Sequence, residues 1–171
     1  MDLKSYIRNF PNFPKEGIIF RDISPILKSP DAMKYIAVQF SRHFNIDEID
    51  FIAGTEARGL IFASFLASHL NKGLIMLRKK GKLPGEIHQV EYELEYNTAI
   101  LEVQRDLITS GQRVLIVDDL LATGGTSLAS AALIEKIGGK VAGFAFVVEL
   151  ASLEGRKNIG DYEIKTLVTY D

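Results

Sequence analysis

The sequence contains no cysteine, which excludes disulfides and thiolate metal sites. It has no run of about 18 apolar residues, so no membrane-spanning helix is predicted. It also lacks a dominant charge. Twenty basic residues stand against 22 acidic ones, for a net charge of −2. That balance argues against a nucleic-acid surface, and no block of like charge suggests a disordered tail. The opening residues, MDLKSYIRNF, lack the apolar stretch of a secretory signal, and a cytoplasmic location is the expectation. There are no internal repeats and no low-complexity segments. What is present is a chain of 171 residues with 47% hydrophobic content. It is expected to form one domain, residues 1–171, around a single core.

The order of elements predicts an α/β fold. A short helix is expected over residues 3–9, ended by Pro11 and Pro14. A second helix is expected over 31–44, with Met33, Ile36, Ala37 and Phe40 on one face. Residues 51–54 read as a short buried strand, 74–77 as another strand, and 60–70 as a largely buried helix between them. Residues 79–97 are polar and show no sustained period. Strands follow at 98–103, 114–117, 141–150 and 164–168, with a helix from Thr126 to Ile137 stopped by Gly138 and Gly139. Such alternation argues for a mainly parallel central sheet flanked by helices.

Residues 114–126, VLIVDDLLATGGT, carry the most chemical information. Four branched apolar residues lead into two acids, a glycine turn and a helix start. The loop at the carboxyl end of a buried parallel strand is where open α/β sheets bind ligands. Gly124 and Gly125 let the backbone turn tightly and come close to a ligand. Thr123 and Thr126 add hydroxyls beside helix N-terminal amides, which suits a phosphate dianion. Asp118 and Asp119 would repel that anion, so they must face another part of the ligand. A sugar diol or a hydrated metal ion meets the requirement. A Walker loop needs a lysine before its threonine, and here Gly125 precedes Thr126. A dinucleotide fingerprint needs three spaced glycines. A strand-turn-helix corner with solvated aspartates is the plain alternative.

Two further segments follow predicted strands. The first is TEARG, 55–59. A single arginine is more often a solvated loop cation, but Arg58 shares the carboxyl sheet edge with the first motif. Backbone amides and a guanidinium there make a good pyrophosphate clamp. The second is RKKGKLPG, 78–85, with four cations in five positions. An isolated basic cluster is commonly a solvated loop. This one opens a long irregular stretch, and such stretches are often lids. Mobile cations there would neutralise a departing polyanion. Near the N-terminus, Phe20 lies in GIIFRDISP, 17–25. A lone phenylalanine is usually core. Flanked by proline-rich chain, it also suits stacking on a flat base, worth roughly 1–3 kcal/mol in nucleic-acid examples. Backbone groups at Ile19 and Arg21 would then read the edge of the base.

Taken in order and spacing, these segments resemble the type I phosphoribosyltransferases, and the resemblance spans almost the whole chain. The resemblance implies that family's fold, with a small N-terminal base-binding hood within residues 1–30 and a flexible catalytic flap over 79–97. It implies that Asp118 and Asp119 hold the ribose hydroxyls of phosphoribosyl diphosphate (PRPP). It assigns the 5′-phosphate to Ala122, Thr123, Gly124, Gly125 and Thr126. The diphosphate falls to Glu56, Ala57, Arg58, Gly59, Arg78, Lys79 and Lys82. In such enzymes the Glu56–Ala57 peptide can adopt a strained form that aims amides at the ligand, and a cation near 78–82 can reach across a dimer interface. The EYELEY stretch, 91–96, matches the flap. Glu95 is implied as the proton-transfer residue and Tyr96 as a flap-ordering or diphosphate-bonding one, with a surface carboxylate as the plain alternative for Glu95. Arg58, Glu95 and Tyr96 are thus the catalytic candidates.

The hood segment looks like that of the adenine-specific members, which implies adenine held by Ile19, Phe20, Arg21 and Leu150. Leu150 enters through the matching segment Val148, Glu149, Leu150. Thr55 and Leu60 are less usual around the diphosphate loop. Expected partners are adenine and PRPP as substrates, AMP and diphosphate as products, and a second copy in a homodimer. Ile26, Leu27 and the N-terminal helix are interface candidates. Mg²⁺ is the expected cofactor, bound chiefly through PRPP and water. Two other readings remain open. One is a 6-oxopurine or xanthine phosphoribosyltransferase. The other is a PRPP- or purine-sensing regulator, although no convincing helix-turn-helix precedes the first core strand.

Overall fold

The computed structural model describes residues 1–93 and 98–171. Its centre is a twisted sheet built from seven strands among the described residues, in the order β5-β6-β4-β3-β7-β8-β9. These are β3 (Phe51–Thr55), β4 (Gly73–Lys79), β5 (Ile87–Glu93), β6 (Thr98–Gln104), β7 (Arg113–Leu121), β8 (Lys140–Leu150) and β9 (Ile164–Tyr170). Neighbours from β4 to β9 run parallel, while β6 pairs antiparallel with both β4 and β5. A separate antiparallel hairpin, β1 (Arg8–Pro11) with β2 (Ile19–Asp22), stands at the N-terminus.

Strand alternation explains why the sheet is covered on both faces. In β7, Leu115 and Val117 join one apolar cluster, while Val114 and Ile116 join the other. In β8, Ala145 and Val147 face the first cluster, and Phe144 and Phe146 face the second. Helices α1 (Ser24–Lys28), α2 (Pro30–His43) and α3 (Gly59–Leu70) supply the first layer. Helices α4 (Gly125–Lys136) and α5 (Gly155–Ile159) supply the second. The Ser29 hydroxyl caps α2 by accepting from the Ala32 amide at 3.2 Å, and Pro30 occupies its first turn. The buried stripe of that helix is Ala32, Met33, Ile36, Ala37 and Phe40. Gly54 is needed because α3 lies on β3. A Cβ there would stand 2.6 Å from that of Ala63.

The strand order places a ligand crevice. From β3 the chain passes through α3 to β4 on one side. From β7 it passes through α4 to β8 on the other. The order therefore reverses between β3 and β7, which are paired in register from Phe51 and Val114 to Gly54 and Val117. Ligands of open α/β sheets bind at such a switch point, outside the carboxyl ends of the strands. TEARG leaves β3 there, and the acid pair and glycine loop leave β7 beside it.

Three segments differ from the sequence expectation. The helix expected over 3–9 is a single 3-10 turn, Leu3–Tyr6, followed by β1, because residues 8–11 find hydrogen-bond partners in β2. The stretch 79–97 is not wholly irregular. Residues 87–93 alternate in burial and pair along β6 as strand β5. Ile26 is no interface candidate, since it is fully buried in its own core, whereas Leu27 is partly buried against that core.

Candidate active site

Both acids of the central motif belong to the C-terminal half of β7 rather than to the loop after it. Asp118 Oδ1 accepts from the Asp119 amide at 2.8 Å. Desolvation, joined by the neighbouring Asp119 charge, pushes the Asp118 carboxyl well above the usual carboxylate range. Gly59, at the start of α3, makes room for it. A Cβ at Gly59 would fall 2.4 Å from Asp118 Oδ1 and 3.0 Å from its Cα. Asp119 is buried, and its Oδ2 lies 2.7 Å from Arg58 Nη2. That ion pair is out of line for a hydrogen bond, and Oδ2 has no hydrogen-bond partner among the described residues. A buried acceptor of this kind suits an incoming hydroxyl.

Arg58 joins the sheet edge to the hood. Besides its contact with Asp119, Nη1 donates to the Arg21 carbonyl at 3.5 Å, and the guanidinium carbon lies 5.2 Å from the centroid of the Phe20 ring. The other members of the TEARG segment divide the work. The Glu56 carboxylate faces away from an anion-binding task, because Oε2 accepts from Arg78 Nε at 2.9 Å and from the Lys79 amide at 2.8 Å. The Arg78 hydrogen bond, ahead of that from Lys79, holds the Glu56 pKa below its ordinary value despite burial. The Glu56–Ala57 peptide is cis.

Lys79, Lys80 and Lys82 are exposed, whereas Arg78 is half-buried. The turn that carries them is anchored by a residue the sequence reading passed over. Glu102, 2% exposed, accepts from the Gly81 amide at 2.9 Å and stands opposite Arg78 in the β4–β6 pairing.

The glycine loop runs into α4. Gly124 has φ +88° and ψ −6° at the N-cap, and no side chain caps the helix among the described residues. The first-turn amides of α4 are therefore not met by a side-chain cap, which leaves them suited to an anion. Gly125 admits the end of β5, since a Cβ there would stand 2.8 Å from the Glu93 carbonyl oxygen. The end of β5 thereby lies against the glycine loop, Ala122, Thr123, Gly124, Gly125 and Thr126. Glu95 and Tyr96, named from the sequence, lie outside the described residues.

The hood carries an open apolar pocket of about 450 Å³ lined by Phe10, Pro11, Asn12, Phe13, Phe20 and Asp22. The Phe13 and Phe20 rings meet edge to face at 5.2 Å. Of the adenine candidates, Phe20 lines this pocket, and Ile19 beside it is exposed. The Arg21 side chain turns elsewhere, stacking 3.8 Å from the Tyr170 ring centroid and donating to Asn9 at 2.7 Å. Leu150 is not among the lining residues. It ends β8 opposite Tyr170 and packs against the core.

Asp22 fixes the base of the hood. Its carboxylate accepts from Arg8 Nε at 2.8 Å and from the Ser24 amide at 2.9 Å, and its pKa is lowered to about 2, first by the Ser24 hydroxyl. Phe10, Phe13 and Asp22 line this pocket beyond the residues expected from the sequence. The available signal was three phenylalanines within eleven residues of chain.

Comparison with known proteins agrees with this geometry. The model of the phosphoribosyl transferase domain matches residues 22–171. The adenine phosphoribosyltransferase of Nitrosopumilus maritimus is 55% identical over 170 residues, covering 99% of this chain and 100% of that protein. The crystal structure of adenine phosphoribosyltransferase from Thermoanaerobacter pseudethanolicus superposes with a TM-score of 0.94 at 47% identity, covering 99% of this chain and 98% of that one. The Saccharomyces cerevisiae enzyme, solved with an imino-altritol bisphosphate and adenine, gives 0.91 at 38% identity, covering 97% and 96%. With the acid pair, the glycine cradle and the clamp loop meeting at one sheet edge, this chain belongs to the phosphoribosyltransferase family.

Proposed function

We propose that this protein transfers the 5-phosphoribosyl group from PRPP to N9 of adenine, giving AMP and diphosphate in purine salvage. The observation that carries the reading is the meeting of an apolar, phenylalanine-lined hood with the acid pair of β7, joined through Arg58 to buried Asp119. Full-length similarity to proteins named adenine phosphoribosyltransferases supports adenine as the base.

The reaction uses the site as follows. The 5′-phosphate sits on the first-turn amides of α4 and the threonine hydroxyls of residues 122–126. Asp118 and Asp119 accept from the ribose diol. The bond from C1 of the ribose to the diphosphate oxygen breaks, and its electron pair leaves with the diphosphate. The amides of residues 56–59 and the cations Arg78, Lys79 and Lys82 receive that charge. Positive charge spreads over C1 and the ring oxygen, and adenine N9 forms the new bond from the opposite face, inverting C1. The proton lost from the imidazole edge of adenine passes to Glu95, with Tyr96 ordering the flap. The flap keeps water from C1.

Mg²⁺ is part of this proposal. Among the described residues no group of three or more potential ligands surrounds a common point. Asp119 is engaged by Arg58, and Asp118 favours its proton. That donor set fits an ion carried mainly by PRPP oxygens and water. When bound, the ion neutralises diphosphate charge.

A homodimer and a cytoplasmic location complete the reading. No helix among the described residues is long and apolar enough to cross a membrane. The dimer face is the side of β4 bearing exposed Leu74 and Met76, next to exposed Ile61 of α3. Strand alternation puts Arg78 on that same side, so a second copy there would adjoin the basic turn. Purine competition tests the base assignment. Hypoxanthine, guanine and xanthine in excess should not slow AMP formation, and strong inhibition by any of them would move the protein to the 6-oxopurine class.

A further inference from the structure

We infer that Asn158 is a positioning residue for the 5′-phosphate, aiming the first backbone amide of the phosphate cradle from behind. This rests on the phosphoribosyltransferase reading of the glycine loop. Asn158 Nδ2 donates to the Thr123 carbonyl at 2.8 Å. In a trans peptide the carbonyl and the following N–H point opposite ways. Holding the Thr123 carbonyl against α5 therefore turns the Gly124 N–H away from α5, toward the mouth of the cradle. Gly124, at φ +88°, is also the N-cap of α4. Its peptide plane thus sets where the run of first-turn amides begins.

The rest of α5 serves as the support for this contact. The helix has five residues, too few to hold its shape alone. At its start, Gly155 lies so close to the loop that a Cβ would stand 2.1 Å from the Ala122 carbonyl oxygen. At its end, Ile159 is buried in the second core cluster. Between them Arg156 ties the helix to the sheet. Its Nε and Nη2 donate to the two carboxylate oxygens of buried Glu149 at 3.2 and 2.8 Å, and Nη2 also reaches Thr166 Oγ1 at 3.2 Å. A bidentate pair of this kind fixes orientation as well as distance. The sheet holds Arg156, Arg156 holds α5, and Asn158 on α5 holds the loop.

The test replaces Asn158 by leucine, which keeps the shape and removes the donor. Asn158 is exposed, so the variant should fold, and circular dichroism checks this. One hydrogen bond's worth of orientation predicts about a tenfold weaker dissociation constant for ribose 5-phosphate and a matching rise in KM for PRPP. The affinity for inorganic diphosphate and kcat at saturating PRPP should not change. N158D, which opposes a carboxylate to the carbonyl, should be worse than N158L. Unchanged ribose 5-phosphate affinity in N158L, with the wild type binding it, would overturn this inference alone. Equal weakening of diphosphate and ribose 5-phosphate would overturn it in favour of general loosening. A wild-type protein with no affinity for ribose 5-phosphate would overturn the reading of the loop and this inference with it.

Discussion

Replacing Gly59 by alanine should separate stability from activity. Gly59 is the first residue of α3, and alanine in a helix ordinarily gains about 0.5–1 kcal/mol over glycine. Here the new methyl would meet Asp118 Oδ1 at 2.4 Å and Asp118 Cα at 3.0 Å. Rotating the carboxylate relieves the first contact but not the second, so the end of β7 or the start of α3 must move. Overpacking of this sort costs about 1–3 kcal/mol. The two effects leave a net loss between about 0 and 2.5 kcal/mol, or at most about 10 °C in Tm for a chain of this size. The loss of function should be out of proportion, because a shift near 1 Å in a substrate-positioning group costs about 100-fold. The assay is kcat/KM for PRPP alongside a thermal melt. An unchanged kcat/KM, or a Tm raised as for an ordinary helical glycine, would refute the argument that Gly59 exists to seat Asp118.

Four other outcomes follow from the geometry. Asp118 has a raised pKa from burial and from Asp119, so its contribution to stability is present at low pH and lost as pH rises through the folded-state value. Asp118→Asn should therefore melt higher than wild type at neutral pH while binding PRPP more weakly, and a lower Tm there would contradict the assignment. Asp22 has the opposite sign. Its pKa of about 2 against an ordinary 3.8 gives stability that is complete above the ordinary value and lost as pH falls toward 2. Asp22→Asn should flatten that limb of a Tm–pH curve, and an unaltered limb would show that Asp22 does not carry it. Met76→Glu should convert a dimer to monomer in sedimentation, and an intact dimer would place the interface elsewhere. Glu95→Ala should lower turnover far more than PRPP affinity, and equal turnover would remove Glu95 from the mechanism.

The parts of this molecule that were legible in sequence are those whose meaning is local. The β7 strand, its acids and the glycine turn occupy thirteen consecutive residues, and each is explained by its immediate neighbours. The same holds for α2, where cap, proline and apolar stripe are contiguous. What was hidden depends on contacts between distant segments. β1 forms because β2, whose residues lie 8 to 14 positions further on, pairs with it, and residues 3–9 alone read as helix. β5 does alternate, His88, Val90 and Tyr92 against Gln89, Glu91 and Glu93, but the preceding basic turn masked the period. The role of Glu56 as a brace for Arg78 spans 22 residues, and that of Asn158 beneath Thr123 spans 35. No periodicity marks either. Arg58 was readable as a sheet-edge cation, but its reach to Phe20 and the Arg21 carbonyl required the hood to be in place.

In the proposed function the hood, acid pair and glycine loop act together on adenine and PRPP. The most direct measurement incubates the protein with Mg²⁺, PRPP and each purine base in turn, identifying the nucleotide and measuring diphosphate release. AMP and stoichiometric diphosphate are expected from adenine, and no nucleotide from hypoxanthine, guanine or xanthine. IMP, GMP or XMP would contradict the hood assignment while keeping the sugar site. No product from any base, despite measurable PRPP binding, would contradict catalysis and leave a sensor of PRPP.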